Sequence, residues 1–314
     1  MPKQPMGHGQ AVLLMVLATL MWSTAGVVTR QLESAPAFES TFWRAFFTFV
    51  SLLVILPLWQ GRGVWGRIAR SGSALWLSGV CWAVMFTAFM VALTLTTVAN
   101  VLVTLAAGPL LTALGARLFN GHRLPLRTWV AIAVAGAGIV WIFGSKLASG
   151  QGAGTAVALC VPVAAATNWV LVQRQTGRSQ PVDMVPAVWL GALISAAVTL
   201  PLAWPLQASA HDLVLLAGLG LGQLAVPCVL SVLCARVLSA PEVSLLGLLE
   251  VIFGTLLAWV GAGEVPSPSV VWGGLLVMAA LAGNESLAWR ERLLRRRATP
   301  PPGKSLPSIQ PPMA

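Results

Sequence analysis

The chain has 314 residues, 57% of them hydrophobic and 9% charged, with a formal net charge of +10 and a mean hydropathy of +0.82. Soluble domains carry about a quarter charged residues, so this composition excludes a soluble enzyme and assigns most of the chain to lipid. The basic residues fall in short connections between apolar runs, which is a topology signal and not a nucleic-acid surface.

A helix needs about 20 apolar residues to cross the roughly 30 Å hydrocarbon layer. Breaking the hydropathy at charges, prolines and glycine clusters predicts ten spans, at about 11–30, 38–59, 73–95, 98–118, 126–145, 152–173, 182–205, 212–236, 240–261 and 267–289. The first run exceeds the 7 to 15 residues of a signal-peptide core and lacks a small-residue cleavage pattern, so it reads as a retained span. The connections are short, and successive helices must run antiparallel. Sixteen Lys and Arg residues fall on one side, only Arg30 and Lys146 on the other, and Arg44 lies inside the second span. This asymmetry places both termini in the cytoplasm of a multi-pass protein of the inner (plasma) membrane. The tail begins as a basic helix end suited to anionic headgroups and becomes too proline-rich to fold.

The halves of the chain repeat. Setting Leu249-Glu250-Val251 on Ala107-Gly108-Pro109 brings Glu264 opposite His122 and Trp272 within one residue of Trp129. MWSTAGVVTRQ (Met21 to Gln31) also resembles NWVLVQRQ (Asn168 to Gln175), so the shift is 142 to 147 residues, or five helices. Five is odd, so the second copy is inverted relative to the first, a recurrent build of secondary transporters. The expected fold is an all-α integral membrane protein of ten transmembrane helices in two inverted five-helix repeats. Residues 1–10 form a cytoplasmic N-terminus, 11–145 the first repeat, 152–289 the second and 290–314 a basic, proline-rich cytoplasmic tail.

No phosphate-binding loop, H-E-x-x-H or paired CxxC occurs, and His8, His122 and His211 lie outside the spans. ATP-driven pumping and zinc chemistry have no support, and no metal, cofactor or catalytic residue is expected. Cys81, Cys160, Cys228 and Cys234 sit in apolar runs as packing residues. What remains is polar side chains inside helices, which lipid makes costly and which face the bundle interior or a water-filled cavity. The fourth span carries Asn100, Thr104, Gly108, Thr112 and Gly115 on one face, and the ninth carries Gly247, Glu250, Gly254, Ala258 and Gly261. Such stripes suit close helix packing as well as a binding site. Trp22, Trp82 and Trp169 lie deep in their spans, with Asn168 and Gln223 as further interior polar groups. These residues, with Asn100 and Glu250, are the candidate substrate contacts.

Desolvation disfavours the charged form of a buried carboxylate without a visible basic partner, so Glu250 is also a candidate proton carrier; a hydrogen-bonded helix clamp is the alternative. Pro109, Pro162 and Pro227 remove backbone donors and bend their helices, with a hinge role open to each. Arg44 reads as a structural anchor that snorkels outward or pairs with Glu39 or Glu33, and Glu264 as a turn or cap residue meeting water.

MWSTAGVVTRQ, FWRAFF with its Arg44, LAAGPLLTALGARLFNGHRL and LLEVIFGTLLAWVGAGEV together resemble the EamA-like family of the drug/metabolite transporter superfamily, over about residues 10 to 290. Glu250, Pro109 and Arg44 match family motif positions. The chain departs from the pattern at Val251, where the family usually has proline, and at His122, where an acidic residue is usual. The resemblance implies a secondary exporter of small metabolites, amino acids prominent among them, with a central cavity and alternating access. Its partners would be a small-molecule substrate and membrane lipids, without nucleic acid, and a monomer is compatible with it. The rival readings are a non-transporting membrane scaffold or receptor and, further off, a membrane-embedded lipid-modifying enzyme.

Overall fold

The computed structural model describes residues 6–120, 126–148, 152–178 and 182–298. His122 and the tail beyond residue 298 lie outside the described residues. The chain is 84% helical, without strands among the described residues. Lipid offers backbone groups no partners, so an apolar chain must satisfy them within its own helices.

The first half comprises α1 (His8–Thr29), α2 (Ala37–Gln60), the short α3 (Val64–Ala69), α4 (Ser73–Leu95), α5 (Val98–Leu105), α6 (Gly108–Asn120) and α7 (Leu126–Ala148). The second comprises α8 (Gly152–Thr176), α9 (Pro186–Ala203), α10 (Ala210–Gly218), a π-helical stretch (Leu219–Ala225), α11 (Val226–Cys234), α12 (Ala240–Gly247), α13 (Leu249–Ala262) and α14 (Pro268–Ala298). Eight segments among the described residues are long and apolar enough to span a membrane; α7 and α14 hold shorter apolar stretches, Trp129–Gly138 and Pro268–Ala280.

Three spans are interrupted, and backbone chemistry explains two of the interruptions directly. Pro109 has no N–H to offer the carbonyl four residues back, and the fourth span breaks between α5 and α6, where Ala107 N–H turns instead to Thr104 O at 3.2 Å. Pro227 likewise leaves the carbonyl of Gln223 without its helical donor, and the π-helical stretch lies immediately before it. The ninth span breaks at Leu248 although Val251 has an N–H to give; that N–H bonds Leu248 O, three residues back, at 3.0 Å. Pro162, by contrast, sits inside a continuous α8.

α4 packs against α8 and α9; α1 packs against α11 and α13; α5 and α6 pack against α8; α2 faces α9, and α7 faces α14. Small residues set the closest approaches: at Gly191 an added Cβ would collide with Trp82 Cβ, so only glycine lets α9 lie this close to α4. Interior hydroxyls bond back along their own helices, as Ser23 does to Thr19 O and Thr48 to Arg44 O. Most bury no unpaired donor. The span-end tryptophans Trp59, Trp129, Trp204 and Trp272 are exposed, as an interfacial belt requires.

Candidate functional site

A cavity of about 140 Å³ lies where α1, α2, α4, α8 and α11 meet the two broken helices. At roughly 10–15 Å³ per water it has room for about ten waters, or for a solute of about ten non-hydrogen atoms. Its aromatic wall is Trp22 from α1, Trp82, Phe86 and Phe89 from α4, and Trp169 from α8. Trp82 and Trp169 meet edge to face with centroids 5.8 Å apart, and Trp82 leans on Phe86 at 5.5 Å. Such pairs hold rings in fixed orientation. Met15 and Met85 add flexible apolar surface.

The polar groups converge from several elements. The broken helices bring Gly108, Pro109, Ser244, Gly247 and Glu250 to the wall. The π-helical stretch delivers Gln223, whose Nε2 donates to Trp22 O at 3.2 Å while its Oε1 has no partner. From α2 comes Arg44, 2% exposed, with its guanidinium carbon 5.5 Å from the centroid of Phe89 and its Nη1 unpartnered. The indole N–H of Trp82 is unpartnered as well. Arg44 and Glu250 line the same cavity, yet no ion pair joins them. Cavity-facing groups with unused hydrogen-bonding capacity are what a polar solute needs, because in their present surroundings they are desolvated without compensation.

Trp22, Trp82, Trp169, Gln223 and Glu250 thus share one cavity, with Pro109 and Pro162 in its wall. Asn100 and Asn168 do not line it. Asn100 Nδ2 donates to Thr96 at 3.0 Å and Thr155 at 2.8 Å, and Asn168 Oδ1 accepts from Ser78 at 2.6 Å. Their amides serve the first-half to second-half seam instead. Pro227 is also off the cavity, next to Cys228, which is on it.

The reading of Arg44 changes most. It neither snorkels nor pairs with Glu39, whose carboxylate accepts from Trp43 Nε1 and from the N–H groups of Gln207 and Ala208. Glu250 therefore does have a basic neighbour, contributed by a helix far away in sequence. Glu264 is also more than a cap: it pairs with Arg30 at 3.2 Å. Among the described residues no group of His, Cys, Asp and Glu is arranged to hold a metal ion.

Residues 9–144 match the model of the EamA-like transporter family, a family of the drug/metabolite transporter superfamily. No curated protein matches the chain. Among the solved structures, 22 chains match. One, titled "Crystal structure of protein", superposes with a TM-score of 0.67 at 21% identity, covering 93% of this chain and 100% of the other. That likeness is one of fold.

Proposed function

We propose that this multi-pass membrane transporter is a secondary exporter of small zwitterionic metabolites such as amino acids, working by alternating access. Ten spans form two inverted five-helix repeats, both termini lie in the cytoplasm of the inner membrane, and the halves rock around the cavity. The packing supports the repeat: α4 on α8 corresponds to α11 on α1, α5 and α6 on α8 to α12 and α13 on α1, and the pairs α2–α9 and α7–α14 map onto themselves. So do the breaks, since residue 106 plus the shift of 142 is residue 248.

The observation that carries the substrate class is the opposed pair Arg44 and Glu250 in one aromatic-walled cavity. A guanidinium binds a carboxylate by charge-assisted bonds, and a carboxylate with nearby tryptophan faces suits an ammonium group. In this reading Arg44 holds the substrate carboxylate, Glu250 its ammonium or a proton, Gln223 and the Trp82 N–H its remaining polar atoms, and Trp22, Trp82 and Trp169 its apolar part.

Reconstitution in proteoliposomes with a panel of amino acids, amines and organic acids tests this. Saturable flux is expected for zwitterions, weakened for amines by Glu250→Gln and for organic acids by Arg44→Met. A panel without saturable flux refutes transport of these solutes; flux indifferent to both substitutions refutes the charge assignment.

A further inference from the structure

At the end of the bundle where α1 stops and α2 starts, three carboxylates join the first half of the chain to the second. Glu39 of α2 accepts the N–H groups of Gln207 at 2.7 Å and Ala208 at 2.8 Å. Asp212, in the first turn of α10, accepts the N–H of Glu33 at 2.8 Å and those of Ser34 and Ala35 at 2.9 Å, with the Ser34 hydroxyl at 2.8 Å. Glu264, just past α13, accepts Val98 N–H at 2.6 Å and Arg30 Nε at 3.2 Å. Arg30 in turn donates through Nη1 to Leu93 O and through Nη2 to Thr96 O, each at 3.0 Å. The cation thus sits on the carbonyl end of α4 and the anion on the amide end of α5, each where the helix dipole favours it.

Below this pair the seam between α1, α5 and α13 is sealed by glycines. A Cβ built on Gly26, Gly254 or Gly261 would come within 2.5 Å of Val98, Leu102 or Val27 respectively. The opposite end is looser. There α1 meets α12 through His8 and Glu242 at 3.4 Å, with side chains 63% and 37% exposed.

We infer that Arg30 and Glu264 form a latch that closes the α1–α5–α13 end of the cavity, while Glu39 and Asp212 form the fixed joint about which the halves turn. Accessibility separates the two roles. Glu39 and Asp212 are 0% exposed, their oxygens occupied by backbone N–H groups. Arg30 and Glu264 retain 34% and 14% side-chain exposure, so water can replace each partner as the pair separates. The three glycine contacts lie along the seam that would part, and α13 is the element that would carry Glu264 and the Glu250 wall away together. The inference rests on the transport reading, because an opening seam has a purpose only there.

Cys228 lines the cavity and is 1% exposed, which makes it a native reporter. The full-length protein, in right-side-out and inside-out membrane vesicles, is treated with a charged, membrane-impermeant methanethiosulfonate, and modification at Cys228 is followed by peptide mass spectrometry. The wild type is expected to react from the α12 face and hardly from the latch face. Arg30→Met and Glu264→Ala should each raise latch-face labelling by about tenfold or more, the shift expected when a charge-assisted bond is lost from one of two states. Gly261→Ala, which wedges the seam without touching the latch charges, should do the same and keeps the test open if a latch variant does not fold, as judged by size exclusion. Asp212→Asn should leave the ratio of the two faces unchanged. Equal labelling from both faces in the wild type, no gain in any of the three opening variants, or an equal gain in Asp212→Asn would overturn the inference. The labelling needs no substrate, so absent flux with the expected labelling would refute transport and leave the latch standing.

Discussion

Arg44→Met and Glu250→Gln are expected to cost more singly than together. Arg44 is buried against Phe89, and Glu250 lines the same cavity without an ion pair to it. Unit charges 4 Å apart attract by about 4 kcal/mol at an effective dielectric constant near 20. Since no ion pair within 4 Å joins them, the coupling must be smaller, about 1–3 kcal/mol. Removing one partner leaves a desolvated charge uncompensated, whereas removing both leaves neither. A double-mutant cycle on the purified protein, with unfolding in mixed micelles followed by tryptophan fluorescence, reads this coupling directly. Costs that add to within about 0.5 kcal/mol would mean that the two groups act independently. The picture of a paired cavity would then be wrong.

Trp82→Ala should raise the KM for an apolar-side-chain substrate by about tenfold, since an aromatic wall contributes about 1–3 kcal/mol on truncation; radiolabelled uptake into proteoliposomes measures it, and an unchanged KM removes Trp82 from the site. Asn100→Ala should behave in the opposite way. It strands the hydroxyls of Thr96 and Thr155 and should lower stability by about 1–3 kcal/mol while leaving KM alone. Thermal unfolding beside the same uptake assay separates the two, and a KM effect without a stability effect would return Asn100 to the cavity.

How much of this was legible in the sequence follows from the range over which each signal acts. Eight of the ten predicted span positions were, because hydropathy is summed along the chain. The predicted 98–118 and 73–95 coincide with the structural spans Val98–Leu118 and Ser73–Leu95. The deep tryptophans, Gln223 and Glu250 were found because a polar or amphipathic residue in lipid has few places to point. Asn100 and Asn168 passed the same filter for a different reason: their amides satisfy hydroxyls on neighbouring helices, and no helical periodicity distinguishes that seam from a cavity. Arg44 was misplaced because a long stem near a span end fits two environments. The deciding fact is α2 packing on the π-helical stretch, a contact between residues over 170 positions apart, as in Thr48 Oγ1 donating to Gly220 O.

The two broken helices carry the argument further than either sequence or cavity does alone. Proline accounts for the break at Ala106–Ala107, but at the corresponding place in the ninth span Val251 stands where the family usually has proline, and the helix breaks all the same. The ninth span breaks in the same register, with a free N–H available to prevent it. A straight α12–α13 would carry Glu250 on a continuous helical face; the break at Leu248 instead turns Val251 N–H toward a nearer carbonyl, next to Gly247, which resists a helix interior. Tertiary packing therefore imposes the break, and the fourth span's proline only makes the same geometry easier to hold. What the two halves share is a backbone shape at cavity depth. What differs is the side chain presented there, Gly108 on one side and Glu250 on the other, so the cavity wall carries one negative group, Glu250, and one positive group, Arg44. Under the proposed function, that asymmetry is what would let the cavity orient a dipolar solute.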